Sequence, residues 1–358
     1  MKRPRAVLVA PDKFKGTLSA PEAAAAIGRG LAGGGVAELE LMPIADGGEG
    51  TMEAVVRVRG GRIVTTTASD PLGRRISAAF GLLDRTAVVE MAQASGLWRL
   101  EAREHDPIAA STRGTGELIA AAVEAGAREV IVAVGGSATS DGGRGALEAL
   151  GAHFTSSGAD LREQRERLRG VKLSVASDVR NPLCGPHGSA REFAPQKGAS
   201  AAQVSELERR LDAWANLARH VTGRNPAHEP MAGAAGGLAG GLWAFAGAEL
   251  RAGAPLVLDA LGFDPRMRAA FAVVTGEGRL DEQTLAGKAL FEVATRCRQA
   301  GVPCYAVVGS DALDAFGKRL MNIEVEAGAA GAGVASAHDV ERAAGRIAKR
   351  LAPTAPTV

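Results

Sequence analysis

The stretch that decides the class of fold lies near the middle of the chain, where residues 129–143 read EVIVAVGGSATSDGG. Residues 129–134 form a mostly apolar run, typical of a buried strand. Glycines and small hydroxylated residues follow, and a helical pattern begins at Gly143. A strand that turns through glycines into a helix is typical of α/β proteins, and the unpaired N–H groups at such a helix start attract anions. The sequence therefore predicts a phosphate-binding loop at residues 135–143.

Strands and helices alternate at both ends of the chain but not in its middle. Strand patterns cover residues 6–10, 39–44, 271–275, 303–308 and 322–326, and helical patterns cover residues 20–31, 51–58, 289–299, 312–320 and 339–351. Between them, three strand patterns joined by short turns predict an antiparallel meander at residues 62–68, 75–83 and 86–91. A helix at 116–125, a strand at 172–177 and a helix at 201–221 follow it. We expect a parallel-sheet α/β domain, residues 1–61 and 263–358, interrupted by an inserted mixed α/β domain, residues 62–262.

Composition narrows the class of function. The net charge is +2 and aromatic residues make up 4% of the chain, so neither a nucleic-acid partner nor binding to a membrane surface is indicated. The uncharged stretch at residues 231–248 is mostly Gly and Ala, which favours a glycine loop followed by a closely packed helix over a membrane span. Three cysteines without a CxxC pair favour reduced thiols in a cytoplasmic protein. A monomer or a homodimer is expected.

Carboxylates follow several of the predicted parallel strands. Asp12 follows the first strand, Asp46 follows the second, and Glu277 and Asp281 follow the strand at residues 271–275. Because ligands of open parallel sheets bind beyond the carboxyl ends of the strands, we expect these side chains to converge on one cleft. For any single acid, capping of a neighbouring helix is an alternative interpretation.

Groups that suit a phosphate lie in other loops. The candidates for neutralising phosphate charge are Lys15, Lys197 and Lys288. Taken singly, each of them is equally typical of a solvated surface. Ser137 and Thr139 add hydroxyl donors to the 135–143 loop, and residues 111–116, which include Thr115, have a similar character.

Several well-known motifs are missing. The Walker A pattern, HExxH and GxSxG do not occur, and no GxGxxG fingerprint follows a predicted strand. The remaining features are a predicted phosphate-binding loop and a group of carboxylates, which together suit Mg²⁺-dependent phosphoryl transfer. The residues alone leave the substrate open.

Nine blocks of sequence, taken in order, add a family resemblance. They lie at residues 11–19, 45–51, 70–73, 114–119, 135–143, 178–186, 195–198, 233–238 and 275–288. Together they resemble the glycerate kinase type-1 family across nearly the whole chain. The resemblance implies a flavodoxin-like domain interrupted by a domain related in shape to restriction endonucleases. It also implies ATP-dependent, Mg²⁺-assisted phosphorylation of D-glycerate to 2-phospho-D-glycerate in glyoxylate or sugar-acid breakdown.

With this resemblance, the candidate residues take hypothetical roles in a cleft between the two domains. Catalytic roles are expected for Asp12, Lys15, Asp46 and Lys197, and metal binding is expected for Glu277 and Asp281. Substrate or phosphate binding is expected for Gly135, Gly136, Ser137, Thr139, Asp141, Gly142, Thr115, Asp178, Gly276 and Lys288. Either Asp46 or Asp12 would accept the proton of the attacking hydroxyl group.

The chain also departs from the family pattern. Ser140 stands where the family usually has Asn, Ala289 stands where it often has Pro, and residues 311–336 are shortened and altered. A kinase for another small hydroxy acid is therefore an alternative function. A non-catalytic module that senses a nucleotide or metabolite is a second alternative, and a dehydrogenase is a more distant one.

Overall fold

The computed structural model describes residues 6–282, 284–328 and 335–351 of the chain. Its strands are β1 Val7–Pro11, β2 Leu39–Leu41, β3 Arg62–Ser69, β4 Arg75–Leu83, β5 Thr86–Glu90, β6 Glu129–Ala133, β7 His153–Phe154, β8 Ala159–Asp160, β9 Lys172–Ser177, β10 Glu249–Ala252, β11 Ala272–Leu280, β12 Cys304–Asp311 and β13 Glu324–Ala327. Its helices are α1 Ala20–Gly33, α2 Thr51–Arg59, α3 Ala92–Ser95, α4 Arg113–Glu124, α5 Arg144–Ala149, α6 Arg162–Arg167, α7 Ser189–Phe193, α8 Ala201–Thr222, α9 Leu238–Ala246, α10 Gly253–Leu261, α11 Phe263–Ala269, α12 Ala289–Ala300, α13 Ala315–Met321 and α14 Ala337–Leu351.

The chain forms two compact units, each with its own sheet. The smaller unit comprises Met1–Asp46 and Val257–Val358, and the larger unit comprises Gly47–Leu256. The smaller unit contains a parallel sheet and the larger one a mixed sheet, which confirms the predicted α/β class. The helix α2 packs against β4 and β5 of the larger unit.

Five parallel strands form the sheet of the smaller unit, in the order β13-β12-β11-β1-β2. Numbered along this unit alone, the order is 2-1-3-4-5, the order of flavodoxin-like sheets. β1 is buried along its whole length. The helix α1 begins with the predicted capping box, in which Ser19 and Glu22 each bind the other's backbone N–H group.

Six strands form the sheet of the larger unit, in the order β10-β9-β6-β5-β4-β3. β3, β4 and β5 pair in antiparallel fashion and confirm the predicted meander, whereas β5, β6, β9 and β10 are parallel. The helices α4, α5, α8 and α9 contribute buried side chains to one apolar core over this sheet. The likeness of this unit to restriction endonucleases stays a prediction.

Strands β11 and β12 are longer than predicted, because they continue through residues expected to form glycine loops. Gly276 pairs with Pro11 on one side and with Val307 on the other. A Cβ atom on Gly276 would lie 2.4 Å from the Val307 carbonyl oxygen. The glycine therefore permits close strand pairing, and Glu277 lies within a strand. Similarly, α4 begins earlier than predicted, so that Thr115 lies in its first turn.

The uncharged stretch at residues 231–248 contains a 3₁₀ turn, Ala234–Gly237, followed by α9, whose residues are mostly buried in the larger unit. Among the described residues, no helix has both the length and the apolar character that crossing a membrane requires.

Close packing of α1 against α14 leads to a first prediction. A Cβ atom on Gly30 would lie 2.1 Å from the Glu341 carbonyl oxygen, so the backbone has to move if Gly30 becomes Ala. Gly30→Ala should lower the free energy of unfolding by about 1–3 kcal/mol. Gly33→Ala is the matched control, because an added Cβ there meets no atom within 4 Å, and it should be neutral or stabilising by up to about 1 kcal/mol. Urea unfolding measures both, and equal effects would contradict the packing argument.

Candidate functional site

Buried acids lie where β1 and β11 meet, the point at which the strand order of the smaller unit reverses. Ligands of doubly wound sheets bind beyond the carboxyl ends of the strands at such a point. Asp12 follows β1 directly, and its N–H group donates to the Gly276 carbonyl oxygen at 2.9 Å, which places it beside Glu277. Asp12 is 8% exposed and Glu277 is 7% exposed. Asp46 interacts electrostatically with both, so three of the predicted acids come together.

Burial and mutual repulsion change the acidity of these groups. Burial, and after it the charge of Asp46, raises the pKa of Asp12 to about 8. Burial also raises the pKa of Glu277 to about 7, although the Thr284 hydroxyl, which donates to its Oε1 atom at 2.6 Å, acts in the opposite direction. Carboxyl groups with a pKa near neutrality can take up and release protons at neutral pH. The cluster is therefore suited to proton transfer and to holding a cation.

In the larger unit, the buried side chain of Lys197 is hydrogen-bonded to the 135–143 loop. Its ammonium group donates to the Ser137 hydroxyl at 2.8 Å and to the Thr139 carbonyl oxygen at 2.6 Å. The residue is only 3% exposed. Burial lowers the pKa of Lys197 to about 7, and the charge of Asp141 acts against that shift. Lys197 therefore joins its own 3₁₀ turn, Pro195–Lys197, to the glycine loop.

Known proteins are similar to this chain in sequence and in fold. The sequence model of the glycerate kinase family matches residues 7–358. The chain belongs to the glycerate kinase family. Glycerate kinase of Bacillus subtilis (strain 168) is 42% identical over 329 residues, 86% of each chain. Glycerate 2-kinase of Escherichia coli (strain K12) is 39% identical over 323 residues, 85% of each chain.

The structural comparison agrees with the sequence comparison. A crystal structure of a candidate glycerate kinase 2 from Salmonella typhimurium LT2 has a TM-score of 0.85 and 34% sequence identity, and the match covers 98% of both chains. The family and the enzyme class predicted from the sequence are therefore confirmed: the protein is a kinase of the glycerate kinase family.

Other candidate residues lie in the smaller unit, which also holds the acid cluster. Asp281 pairs with Lys288, with 3.7 Å between Oδ1 and Nζ, and with Arg279, with 3.4 Å between Oδ2 and Nε. Lys288 is also the residue that precedes α12. Lys15 is exposed, in a turn that Phe14 and Leu18 close through backbone hydrogen bonds. The two candidate phosphate-binding lysines of this unit therefore lie in different surroundings, since Lys288 is ion-paired and Lys15 is exposed.

A magnesium ion fits the chemistry of these acids. Among the described ranges of the chain, no group of three or more His, Cys, Asp or Glu side chains is arranged to hold a metal. Kinases, however, commonly bind Mg²⁺ through one or two carboxylates, because waters and substrate phosphates complete its shell. Glu277 offers a buried carboxylate of this kind, and the paired Asp281 lies close enough to act on its charge.

Asp141 fills part of the predicted phosphate cradle with the protein's own carboxylate. It accepts hydrogen bonds of 2.8–3.2 Å from the N–H and hydroxyl groups of Thr112 and from the N–H groups of Gly143 and Gly145. Burial raises its pKa, whereas these hydrogen bonds act against the shift. The N–H groups of Thr112, Gly143 and Gly145, at the starts of α4 and α5, are therefore already paired within the protein. A ligand-binding role of Asp141 stays a prediction.

Close approach of neighbouring groups explains two glycines of the 135–143 loop. A Cβ atom on Gly135 would lie 2.9 Å from the Cα atom of Gly48, so this loop packs against the segment that follows Asp46. Gly142 has a φ of +67°, and a Cβ atom there would lie 2.6 Å from the Trp214 ring. The Trp214 indole N–H group donates to the Gly142 carbonyl oxygen at 2.9 Å. Packing alone therefore requires both glycines.

The remaining predicted residues lie in different surroundings. Thr115 is fully buried and its hydroxyl donates to the Ser95 hydroxyl at 2.8 Å. Asp178 is exposed just after β9, and Gly136 has a φ of +71° in the glycine loop. Their binding roles, like those of Gly276 and Lys288, stay predictions. Residues 329–334 of the altered stretch lie outside the described residues.

Sequence reasoning missed Glu90, the last residue of β5. It is 3% exposed and accepts a hydrogen bond of 2.8 Å from the Met52 N–H group. The available signal was an acid that ends an apolar strand, as Asp12 does after β1. The sequence does not separate this signal from that of a turn residue, because the strand lies in the predicted antiparallel meander.

The buried ammonium group of Lys197 predicts a particular pH dependence of stability. Its pKa is about 7 in the folded protein and 10.5 as a reference. Between these values the unfolded chain binds a proton that the folded chain does not, so this group makes stability rise with pH. Lys197→Met should remove that rise between about pH 7 and pH 10. Lys172→Met, at an exposed lysine of β9, is the control. Parallel melting-temperature curves for wild type and Lys197→Met would contradict the assignment.

Proposed function

We propose that this kinase transfers the γ-phosphoryl group of ATP to the 2-hydroxyl group of D-glycerate, with Mg²⁺, and gives 2-phospho-D-glycerate and ADP. The observation that carries the proposal is the cluster of the half-buried Asp46 with the buried Asp12 and Glu277 at the reversal point of the sheet. Its support from relatives is the 39% identity to a protein named glycerate 2-kinase. Because residues 311–336 depart from the family pattern, another small hydroxy acid is the alternative substrate.

The acid cluster supplies the base for this reaction. The hydroxyl oxygen forms a bond to the γ-phosphorus atom, the bond to the bridging oxygen of ADP breaks, and the hydroxyl proton passes to a carboxylate. Asp12, with a pKa of about 8, holds a proton at neutral pH, so it is the weaker candidate for accepting another. Asp46 is only half-buried, and we therefore assign the base to Asp46, with Asp12 acting on it electrostatically.

Glu277 and Asp281 would hold Mg²⁺. The ion, when bound, supplies positive charge to the phosphate oxygens of the nucleotide. Thr284 orients the Glu277 carboxylate through its hydroxyl group, and Lys288 holds Asp281. These contacts fix the two carboxylates in place before any ligand arrives, which lowers the cost of reorganisation during the reaction.

The 135–143 loop is the proposed binding element of the larger unit. Gly136, Ser137 and Thr139 would present backbone and hydroxyl groups to a phosphate or to the glycerate carboxylate. The active site is thus proposed to draw on both units. A cytoplasmic location, a monomeric or homodimeric state and a place in glyoxylate or sugar-acid breakdown remain part of the proposal.

The product of the reaction tests the proposal directly. Incubation with ATP, Mg²⁺ and D-glycerate should release ADP and give a phosphorus NMR doublet, because the 2-phosphate couples to a single methine proton. A triplet would mean transfer to the 3-hydroxyl group, where the phosphate couples to two methylene protons. A panel of small hydroxy acids tests the alternative substrate, and ATP binding without any product would favour a sensing module.

Replacing the assigned base is the second test. Asp46→Asn should lower kcat by about 10²–10⁴-fold, because the amide cannot accept the hydroxyl proton. Asp212→Asn, at an exposed position of α8, should leave kcat unchanged. Both variants should unfold at temperatures close to that of the wild type. Turnover of Asp46→Asn close to the wild-type value would remove Asp46 from the mechanism.

A further inference from the structure

Glu90 is a buried acid that the proposed phosphoryl transfer does not use. Its Oε1 atom accepts the Met52 N–H group at 2.8 Å, and its carboxylate also accepts the Gly50 N–H group. Burial raises its pKa, and the neighbouring charges of Glu49 and Glu53 act in the same direction. An acid kept in such a place needs a structural or functional reason, because burying a carboxylate is costly unless it is hydrogen-bonded.

The helix that Glu90 contacts has no cap of its own. The residue before α2 is Gly50, with a φ of +95°, and it offers no side chain to the first N–H groups of the helix. Glu90 therefore supplies from β5 the acceptor that Ser, Thr, Asp or Asn usually provides at this position. A carboxylate is favoured there, because the N-terminal end of a helix carries partial positive charge.

The segment held in this way is the 47–50 loop, which directly follows the proposed base, Asp46. Within the larger unit this loop packs mainly through backbone atoms. A Cβ atom on Gly47 would lie 2.8 Å from the Cα atom of Gly253, and Gly48 lies against Gly135. The Thr51 hydroxyl donates to the Gly48 carbonyl oxygen at 2.7 Å. Glycines provide the close approach, and Glu90 provides the side-chain hydrogen bonds that fix the position at which the loop ends.

We propose that Glu90 is a positioning residue for the catalytic base: by binding the N–H groups of Gly50 and Met52, it fixes the 47–50 loop and so the backbone from which Asp46 projects. The inference rests on the proposed role of Asp46. Glu90 touches no reacting atom in this scheme and acts only through the loop. Displacement of a catalytic group by about 1 Å can cost on the order of 10²-fold in rate.

Three variants separate positioning from simple stability. Glu90→Ala removes the acceptor, Glu90→Asp withdraws it by one methylene group, and Glu90→Gln keeps an amide oxygen that can accept the Met52 N–H group. We expect kcat to fall by about 10–10²-fold in Glu90→Ala and Glu90→Asp, with KM for both substrates changed less than about threefold. Glu90→Gln should restore most of the activity. Glu129→Gln, at the amino end of β6 in the same sheet, is the matched control and should behave as wild type.

Hydrogen–deuterium exchange of the peptide that covers residues 47–52 gives a readout independent of catalysis. Exchange should be faster in Glu90→Ala and Glu90→Asp than in wild type, and close to wild type in Glu90→Gln. Faster exchange with unchanged kcat would overturn the proposal, and so would unchanged exchange. Should Glu90→Ala fail to fold, Glu90→Asp decides by the same criteria. If the wild type does not phosphorylate glycerate, the proposed function fails, while exchange still reports on the loop contact.

Discussion

The parallel pairing of β1 with β11 is the constraint on which the rest of the structure depends. It joins segments far apart in the sequence, and the Thr275 hydroxyl bonds to the Ala10 carbonyl oxygen across 265 residues. Closing so long a loop is affordable because the entropic cost grows only with the logarithm of its length. The whole larger unit can therefore be inserted between the two strands. The same pairing creates the reversal of strand order and brings Asp12 beside Glu277.

This constraint explains why the acid cluster was predictable while the strand ends were not. Each acid follows an apolar run, and parallel strands bring their carboxyl ends to one edge, so Asp12, Asp46 and Glu277 could be grouped from the sequence. The predicted end of β11 at residue 275 was wrong because of Gly276. In a sequence, a glycine that permits close strand pairing cannot be distinguished from one that permits a turn. Likewise, the periodicity of residues 51–58 predicted the helix α2, but it carries no information about which sheet the helix packs against.

The glycine-rich loops of the larger unit show a different limit. Their composition predicted binding of an external anion, yet charged side chains of the protein itself use many of the same donors and acceptors. Asp141 accepts N–H groups at the starts of two helices, and Lys197 donates to the 135–143 loop. The sequence indicates which loops have backbone groups that need a hydrogen-bonding partner. Only the packing of distant segments shows whether that partner is a side chain of the protein or a ligand.

The internal hydrogen bonds of Lys197 affect which lysine is suited to neutralise the charge of the phosphoryl group. Lys197, with a pKa of about 7, is charged only in part at neutral pH, and two of its N–H groups are bound to Ser137 and Thr139. It is better suited to fixing the loop than to neutralising a transferred phosphoryl group. Lys15 presents an exposed ammonium group after β1, in the unit that holds the acid cluster. The two lysines that the sequence placed together in catalysis therefore differ: Lys197 holds the loop, and Lys15 stays the candidate for neutralising the phosphate charge.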